Sequence, residues 1–231
     1  MPLLNWAKHK QIMVRILKDI YQDPVLGSAL GFKGGTAAML FYDLPRRSVD
    51  LDFDILTDEK HDDIAARVAT VIGRYGTIKN QYVKRNTIFA LLSYGDDDAN
   101  IKIEINRRGA QGRYDVQNYL GVSLLVMRKE DMFANKLIAL THRAHSTARD
   151  IFDVWYFARN MWSINERIIE EKTGKSLATY IGDVIAFLEG LPPQQLLAGL
   201  GELIDANQKA WIKKSLISDT VFLLRSYQSL S

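Results

Sequence analysis

The sequence predicts an α+β protein, with an N-terminal half built on a mixed sheet and a C-terminal half of helices. Three observations carry this prediction. Up to about residue 127, short apolar or alternating segments recur between turn signals, the pattern of strands. From residue 128 onward, apolar residues recur at helical spacing. No apolar run reaches ten residues, too short to cross a bilayer, so these patterns belong to a folded core. Two domains follow, residues 1–127 and residues 128–231.

The first element is an amphipathic helix, in which Ile12, Ile16 and Ile20 recur beside Met13 and Leu17. Residues 28–33 read as a strand that ends at the Gly34-Gly35 turn. Residues 36–42 (TAAMLFY) read as a short helix closed before Pro45. Residues 48–56 alternate strictly and form a strand. A helix over 58–72 presents Ile64, Ala65, Val68 and Ile72 on one side. Strands are expected at 77–84, 87–94 and 99–107, with a hairpin turn at Gly95-Asp96-Asp97-Asp98, and another within 121–127. In the helical half, Phe133, Leu137 and Leu140 form one stripe and Ile151, Val154, Trp155 and Ala158 another. Further helices are expected near 164–172, 176–188, 194–205 and 218–227, with Leu191-Pro192-Pro193 separating two of them.

Composition narrows the function classes. Over 231 residues, 47% apolar and 25% charged residues exclude a mostly disordered chain, a collagen and a coiled coil. The absence of cysteine excludes disulfides, thiolate zinc sites and cysteine nucleophiles. A net charge of +3 is compatible with a phosphate-rich partner. Lys8, His9, Lys10, Arg15, Lys18 and Asp19 interrupt the apolar stretch that a signal peptide needs, so the expectation is a soluble cytoplasmic protein.

The strand SVDLDFDIL is the most informative segment. Val49, Leu51, Phe53 and Ile55 point toward a core, and Asp50, Asp52 and Asp54 point together to the other face. Aspartate is depleted in strands, and like charges on one face repel. A divalent cation relieves that repulsion, and Mg²⁺ prefers one or two carboxylates plus phosphate oxygens. The other reading is an exposed acidic edge. Lys33-Gly34-Gly35-Thr36 joins a strand to a helix start, where backbone N–H groups can meet an anion. It is otherwise a tight turn. Lys102 and Glu104 alternate with Ile101, Ile103 and Ile105, so Glu104 is either a third carboxylate or a solvent-facing strand residue. Lys136 lies beside the apolar stripe, where a lysine usually snorkels to solvent. Thr147 and Asp150 fit an N-cap and its capping-box partner. Asp153 lies beside Ile151 and Val154, where an unpaired acid is costly.

Together, the Gly-Gly-Thr turn and the Asp-x-Asp strand, GGTAAMLFYDLPRRSVDLDFDIL, resemble the signature of the polymerase-β nucleotidyltransferase superfamily. Asp131, Lys136, Leu-x-Ala-Leu-x-x-Arg and Arg149-Asp150-x-x-Asp153, with Arg46, Arg47 and Ser48 ahead of the Asp-x-Asp, resemble more narrowly the AbiEii/AbiGii toxin family. The resemblance covers residues 31–157. It implies a nucleotidyltransferase-like N-terminal domain and a C-terminal helical bundle that completes the active-site cleft. It implies NMP transfer from an NTP to an acceptor, the 3′ end of tRNA in some relatives, within a toxin–antitoxin or phage-defence system. By motif position it makes Asp50, Asp52, Lys136 and Asp153 catalytic. Lys33, Gly34, Gly35, Thr36, Arg47 and Ser48 bind the nucleotide, and Asp50, Asp52 and Glu104 hold Mg²⁺ or Mn²⁺. Asp153 either orients Lys136 or acts as a base. An antitoxin protein is the expected partner. Lys84, Arg85, Arg107, Arg108, Arg113, Arg128, Lys129, Arg143 and Arg149, interleaved with Tyr82, Tyr94 and Tyr114, form either an RNA footprint or solvated surface. A small-molecule nucleotidyltransferase and an inactive binding module are the alternatives.

Overall fold

The computed structural model describes residues 4–57, 61–95, 100–142, 148–191 and 206–230. They fall into two compact units, Met1–Asp43 with Ser48–Arg128, and Leu44–Arg47 with Lys129–Ser231. The expected turn at 96–98, the expected cap Thr147, Arg143 and the expected helix at 194–205 lie outside the described residues.

The first unit contains helices α1 (Trp6–Gln22), α2 (Leu26–Ala29), α3 (Gly34–Phe41) and α4 (His61–Ile72). Its strands are β1 (Leu30–Lys33), β2 (Asp50–Ile55), β3 (Thr77–Lys84), β4 (Thr87–Ser93), β5 (Asn100–Asn106), β6 (Tyr114–Tyr119) and β7 (Val122–Met127). The seven strands form one mixed sheet in the order β3-β4-β5-β2-β1-β7-β6. β2 runs antiparallel to β1 and parallel to β5, and β1 runs parallel to β7. One face carries the core: Leu51, Phe53, Ile101, Ile103, Ile105, Ile88 and Leu92 are buried there. The Ile16 and Ile20 stripe of α1 and the Ile64, Val68 and Ile72 stripe of α4 are equally buried. Each such side chain contributes roughly 1.5–3 kcal/mol. The register of β2 is thereby fixed, because a one-residue slip would drive its aspartates into this core.

Two local features differ from the sequence reading. Residues 26–29 form a single helical turn ahead of a strand of only four residues, because Asp23 Oδ1 accepts from the N–H groups of Val25 and Leu26 and nucleates the turn. β6 was not expected. It is an edge strand whose residues are all exposed or half-buried, so it shows no apolar alternation.

The second unit contains α5 (Lys129–His142), α6 (Ala148–Arg159), α7 (Glu166–Thr173), α8 (Leu177–Glu189) and α9 (Ala206–Leu230). α9 packs on α6 and α8, and its Trp211 ring meets Trp155 and Phe152 of α6. Its 25 residues far exceed the segment expected at 218–227, because its apolar stripe is narrow and interrupted by polar residues. Among the described residues, no helix is long and apolar enough to cross a membrane.

His9 joins α1 to the sheet. It is 1% exposed, its Nε2 lies 3.2 Å from the Val49 carbonyl, and its Nδ1 pairs with the Tyr94 hydroxyl. Burial holds its pKa below the ordinary histidine value, against the smaller raising pull of the Val49 carbonyl and Asp50. Below about pH 6.5 the unfolded chain therefore takes up a proton that folded His9 refuses. Stability should fall as the pH drops from 6.5 toward the folded pKa. Melting temperatures between pH 7.5 and 5.5 should fall less steeply for His9→Gln than for the wild type. Parallel slopes would contradict this account.

Candidate active site

The open face of the sheet brings together most of the residues singled out on the first unit. Lys33 pairs with Asp52 across β1 and β2, and Asp52 with Glu104 across β2 and β5. Paired residues share a face, so these three stand in one row at spacings of about 5 Å. Asp50 and Lys102 form the next row. Lys102 Nζ lies 3.4 Å from Asp50 Oδ2 and 3.4 Å from Glu104 Oε2. Burial disfavours the Lys102 charge, but Asp50, Asp52 and Glu104 outweigh it and raise its pKa. Burial also raises the Asp52 pKa, and Asp50 and Glu104 add to the effect while Lys102 and Lys33 oppose it. With Lys33 on Asp54, this face sets three carboxylates, Asp50, Asp52 and Glu104, against one ammonium, Lys102. Lys102 was placed on this face by its alternation with the isoleucines, but nothing in the sequence marks it as the shared counter-ion.

Asp54 is set apart from its two neighbours. It is 0% exposed. Its Oδ1 accepts from Lys33 Nζ at 2.5 Å and Asn106 Nδ2 at 2.8 Å, and its Oδ2 from the Gln111 N–H at 2.8 Å and the Tyr114 hydroxyl at 2.5 Å. A carboxylate with four donors is a structural anchor, and Lys33 is committed to it. Gly31 makes room for this arrangement, since a Cβ there would meet the Tyr114 ring at 2.4 Å.

The glycine turn abuts the same carboxylates. Gly34 has φ +79, and a Cβ on it would lie 2.4 Å from Asp52 Oδ2. Only glycine fits this backbone and this approach together. Gly34, Gly35 and Thr36 form the first turn of α3, and no side chain caps its N–H groups. Those groups and the helix dipole favour an anion. The Thr36 hydroxyl is turned instead to the Ser48 hydroxyl, 2.9 Å away, and to the Asp50 carbonyl. Thr36 and Ser48 thus brace the start of β2.

The remaining residues lie in the second unit, in a buried network of four charges. Lys136 Nζ lies 2.8 Å from Asp150 Oδ1 and 2.8 Å from Asp153 Oδ2. Arg46 forks onto Asp153, with Nε at 2.5 Å from Oδ1 and Nη2 at 2.7 Å from Oδ2. Lys136 therefore does not snorkel, because two acids hold it inside. Burial raises the Asp153 pKa, but Arg46 and then Lys136 reverse this and leave it below the ordinary carboxylate value. Lys136 remains charged, its burial outweighed by Asp153 and Asp150. Arg47 is exposed, and its carbonyl accepts from Arg46 Nη1 at 3.0 Å. The role of Arg46 was not legible in sequence, because its partner lies 107 residues away.

Among the described residues, no three His, Asp or Glu side chains form a ready-made metal cage. The chemistry of the donor set nevertheless suits a divalent cation that completes its shell with phosphate oxygens: two adjacent aspartates, a glutamate alongside, and a lysine ammonium between them.

Solved structures that share this fold include two from Helicobacter pylori. One, of a nucleotidyltransferase candidate from H. pylori, superposes with a TM-score of 0.62 at 21% identity, covering 99% of this chain and 98% of that one. The other, JHP933 from Helicobacter pylori, gives 0.58 at 22% identity, covering 98% and 97%. The fold is that of nucleotidyltransferase-like proteins. The family model described as "Nucleotidyl transferase AbiEii toxin, Type IV TA system" matches residues 15–211, and the chain belongs to that family. A search of curated proteins found no significant match.

Asp54 and Asp52 of β2 should respond differently to substitution. Asp54→Ala strands four donors, one of them charged, and should cost about 3–5 kcal/mol of stability. Asp52→Asn removes a charge from a crowded face and should leave the melting temperature, without divalent metal, equal to or above wild type. In the same thermal unfolding series, Lys136→Met leaves two buried acids with one arginine and should also cost about 3–5 kcal/mol. Equal effects of Asp54→Ala and Asp52→Asn would contradict the division drawn here.

Proposed function

We propose that this chain is the nucleotidyltransferase toxin of a toxin–antitoxin or phage-defence pair, acts in the cytoplasm, and transfers NMP from an NTP to the 3′ end of an RNA. The family resemblance favours tRNA as the acceptor. The observation that carries the reading is the row Lys33–Asp52–Glu104, with Asp50 beside it and the Gly34 turn pressed against Asp52.

In this reading, Asp50, Asp52 and Glu104 hold Mg²⁺ or Mn²⁺, which supplies Lewis-acid polarisation of the α-phosphate and a favourable charge for the attacking hydroxyl. The N–H groups of Gly34 and Gly35 seat the β- and γ-phosphates. Binding brings phosphate charge onto a face that already carries carboxylates, so Lys102 shifts from counter-ion of the acids toward the incoming anion. Thr36 and Ser48 keep the start of β2, and so Asp50, in place. Asp153 is an orienting residue rather than a base: a carboxylate held below its ordinary pKa, with both oxygens engaged, is a poor proton acceptor. Lys136 and Asp153 act as positioning residues through Arg46, fixing the segment that leads in sequence to Arg47, Ser48 and the aspartate strand. The partner is a cognate antitoxin protein.

Incubation of the wild-type chain with each labelled NTP, Mg²⁺ and total RNA should label an RNA 3′ end. Asp50→Asn and Asp52→Asn should each abolish labelling and growth inhibition, while circular dichroism shows an intact fold. Retained labelling by either variant would overturn the metal assignment.

A further inference from the structure

The row that carries the carboxylates does not end at Glu104. Phe89 pairs with Glu104 across β4 and β5, and Tyr82 pairs with Phe89 across β3 and β4. Tyr82, Phe89, Glu104, Asp52 and Lys33 therefore stand on one sheet face, strand by strand. The Tyr82 and Phe89 rings stack, with centroids 4.7 Å apart and planes within 8°. Lys84 Nζ lies 4.5 Å from the Tyr82 centroid, and exposed Arg85 follows it in the hairpin. Both rings are half-buried.

Four of the other aromatic and basic groups are committed elsewhere. Tyr94 is bound to His9 and Tyr114 to Asp54. Arg128 forks onto Asp115 at 2.9 and 2.6 Å, and Lys129 lies over the Trp162 ring. The Tyr82 and Phe89 rings differ from these in continuing the site's own row, and Lys84 and Arg85 follow Tyr82 at the end of the hairpin.

In-line transfer gives that placement a direction. The attacking and leaving oxygens lie on opposite sides of the α-phosphate. With the triphosphate over the Gly34 turn, the pyrophosphate leaves on the β1 side of β2. The acceptor hydroxyl then arrives from the β5 side, where Phe89 and Tyr82 stand. The hydroxyl oxygen forms a bond to the α-phosphorus, the bond to the pyrophosphate oxygen breaks, and the hydroxyl proton passes to solvent.

We infer that the Tyr82–Phe89 pair is the platform on which the 3′-terminal base of a single-stranded RNA acceptor stacks, with Lys84 and Arg85 on its phosphates. The inference rests on the transferase reading above. Stacking fits because every base offers a π-face, and basic residues beside aromatic ones track the backbone. Phe89 stands about one strand spacing from Glu104, so a base added on its open side lies over β5, the strand that carries Glu104.

The test is fluorescence anisotropy of a labelled single-stranded oligoribonucleotide with a free 3′ hydroxyl, with NTP binding followed separately by calorimetry. Tyr82→Leu and Phe89→Leu should each weaken RNA binding about tenfold or more and leave NTP affinity unchanged. Tyr82→Phe, which keeps the ring, should bind as wild type. Lys84→Ala with Arg85→Ala, both exposed, should flatten the salt dependence of RNA binding by one to two in slope, about 0.7 per charge. RNA affinity within twofold of wild type for both leucine variants, with wild-type melting temperatures, would overturn the inference. So would a loss confined to NTP affinity, which would give the platform to the nucleotide's base. If the leucine variants unfold, an unchanged salt slope in the alanine pair overturns it instead. Failure here leaves the transferase reading standing where the wild type labels RNA and Asp52→Asn does not. Absence of labelling by the wild type with any NTP defeats that reading.

Discussion

The structure of the first unit turns on one electrostatic constraint: β2 carries three aspartates on a single face, and its opposite face is locked into the core. The register cannot slip to relieve the repulsion. Relief comes locally and unequally. Asp54 is paired with Lys33 and saturated by three further donors. Asp50 and Asp52 share Lys102 with Glu104, three carboxylates to one ammonium, and the Asp52 pKa stays raised, chiefly by burial. The unequal division separates an anchor from a site. A face that remains too negative beside a helix start that favours anions suits a cation and a phosphate arriving together.

The second unit solves a similar problem in the opposite way. Asp150 and Asp153 are buried with Lys136 and Arg46, two acids with two bases, and the short distances leave no charge uncompensated. Such a network is expensive to desolvate and contributes mainly by fixing one arrangement. What it fixes is the four-residue segment Leu44–Arg47, which belongs to the helical unit although both of its chain neighbours belong to the sheet unit.

Much of this was legible in the sequence, for physical reasons. The isoleucine stripe of α1, the alternation of β2 and β5, and the glycine turn are local patterns with a fixed period, and the structure shows each of them. The nucleotidyltransferase fold and the AbiEii family followed from the spacing of a few residues. Three things were not legible. β6 has no buried face and so no period. The contrast between Asp54 and Asp52 depends on Gln111, Asn106 and Tyr114, all more than fifty residues away. By spacing alone Lys136 reads as a snorkelling lysine, and the resemblance makes it catalytic; neither shows its ion pairs, because its acids come from another helix, and the Arg46 partner does too. In the last two cases the missing information was a long-range pairing of polar groups, which leaves no periodic trace.

The central claim is that Asp50, Asp52 and Glu104 form a divalent-cation site for which Lys102 is the resting counter-ion. A crystal structure with Mn²⁺ and a non-hydrolysable NTP analogue, read by anomalous scattering, tests it most directly. The account predicts an anomalous peak bound by Asp50 and Asp52, with Lys102 Nζ moved out of contact with Asp50. A peak elsewhere, or Lys102 still between Asp50 and Glu104 with nucleotide bound, would contradict it.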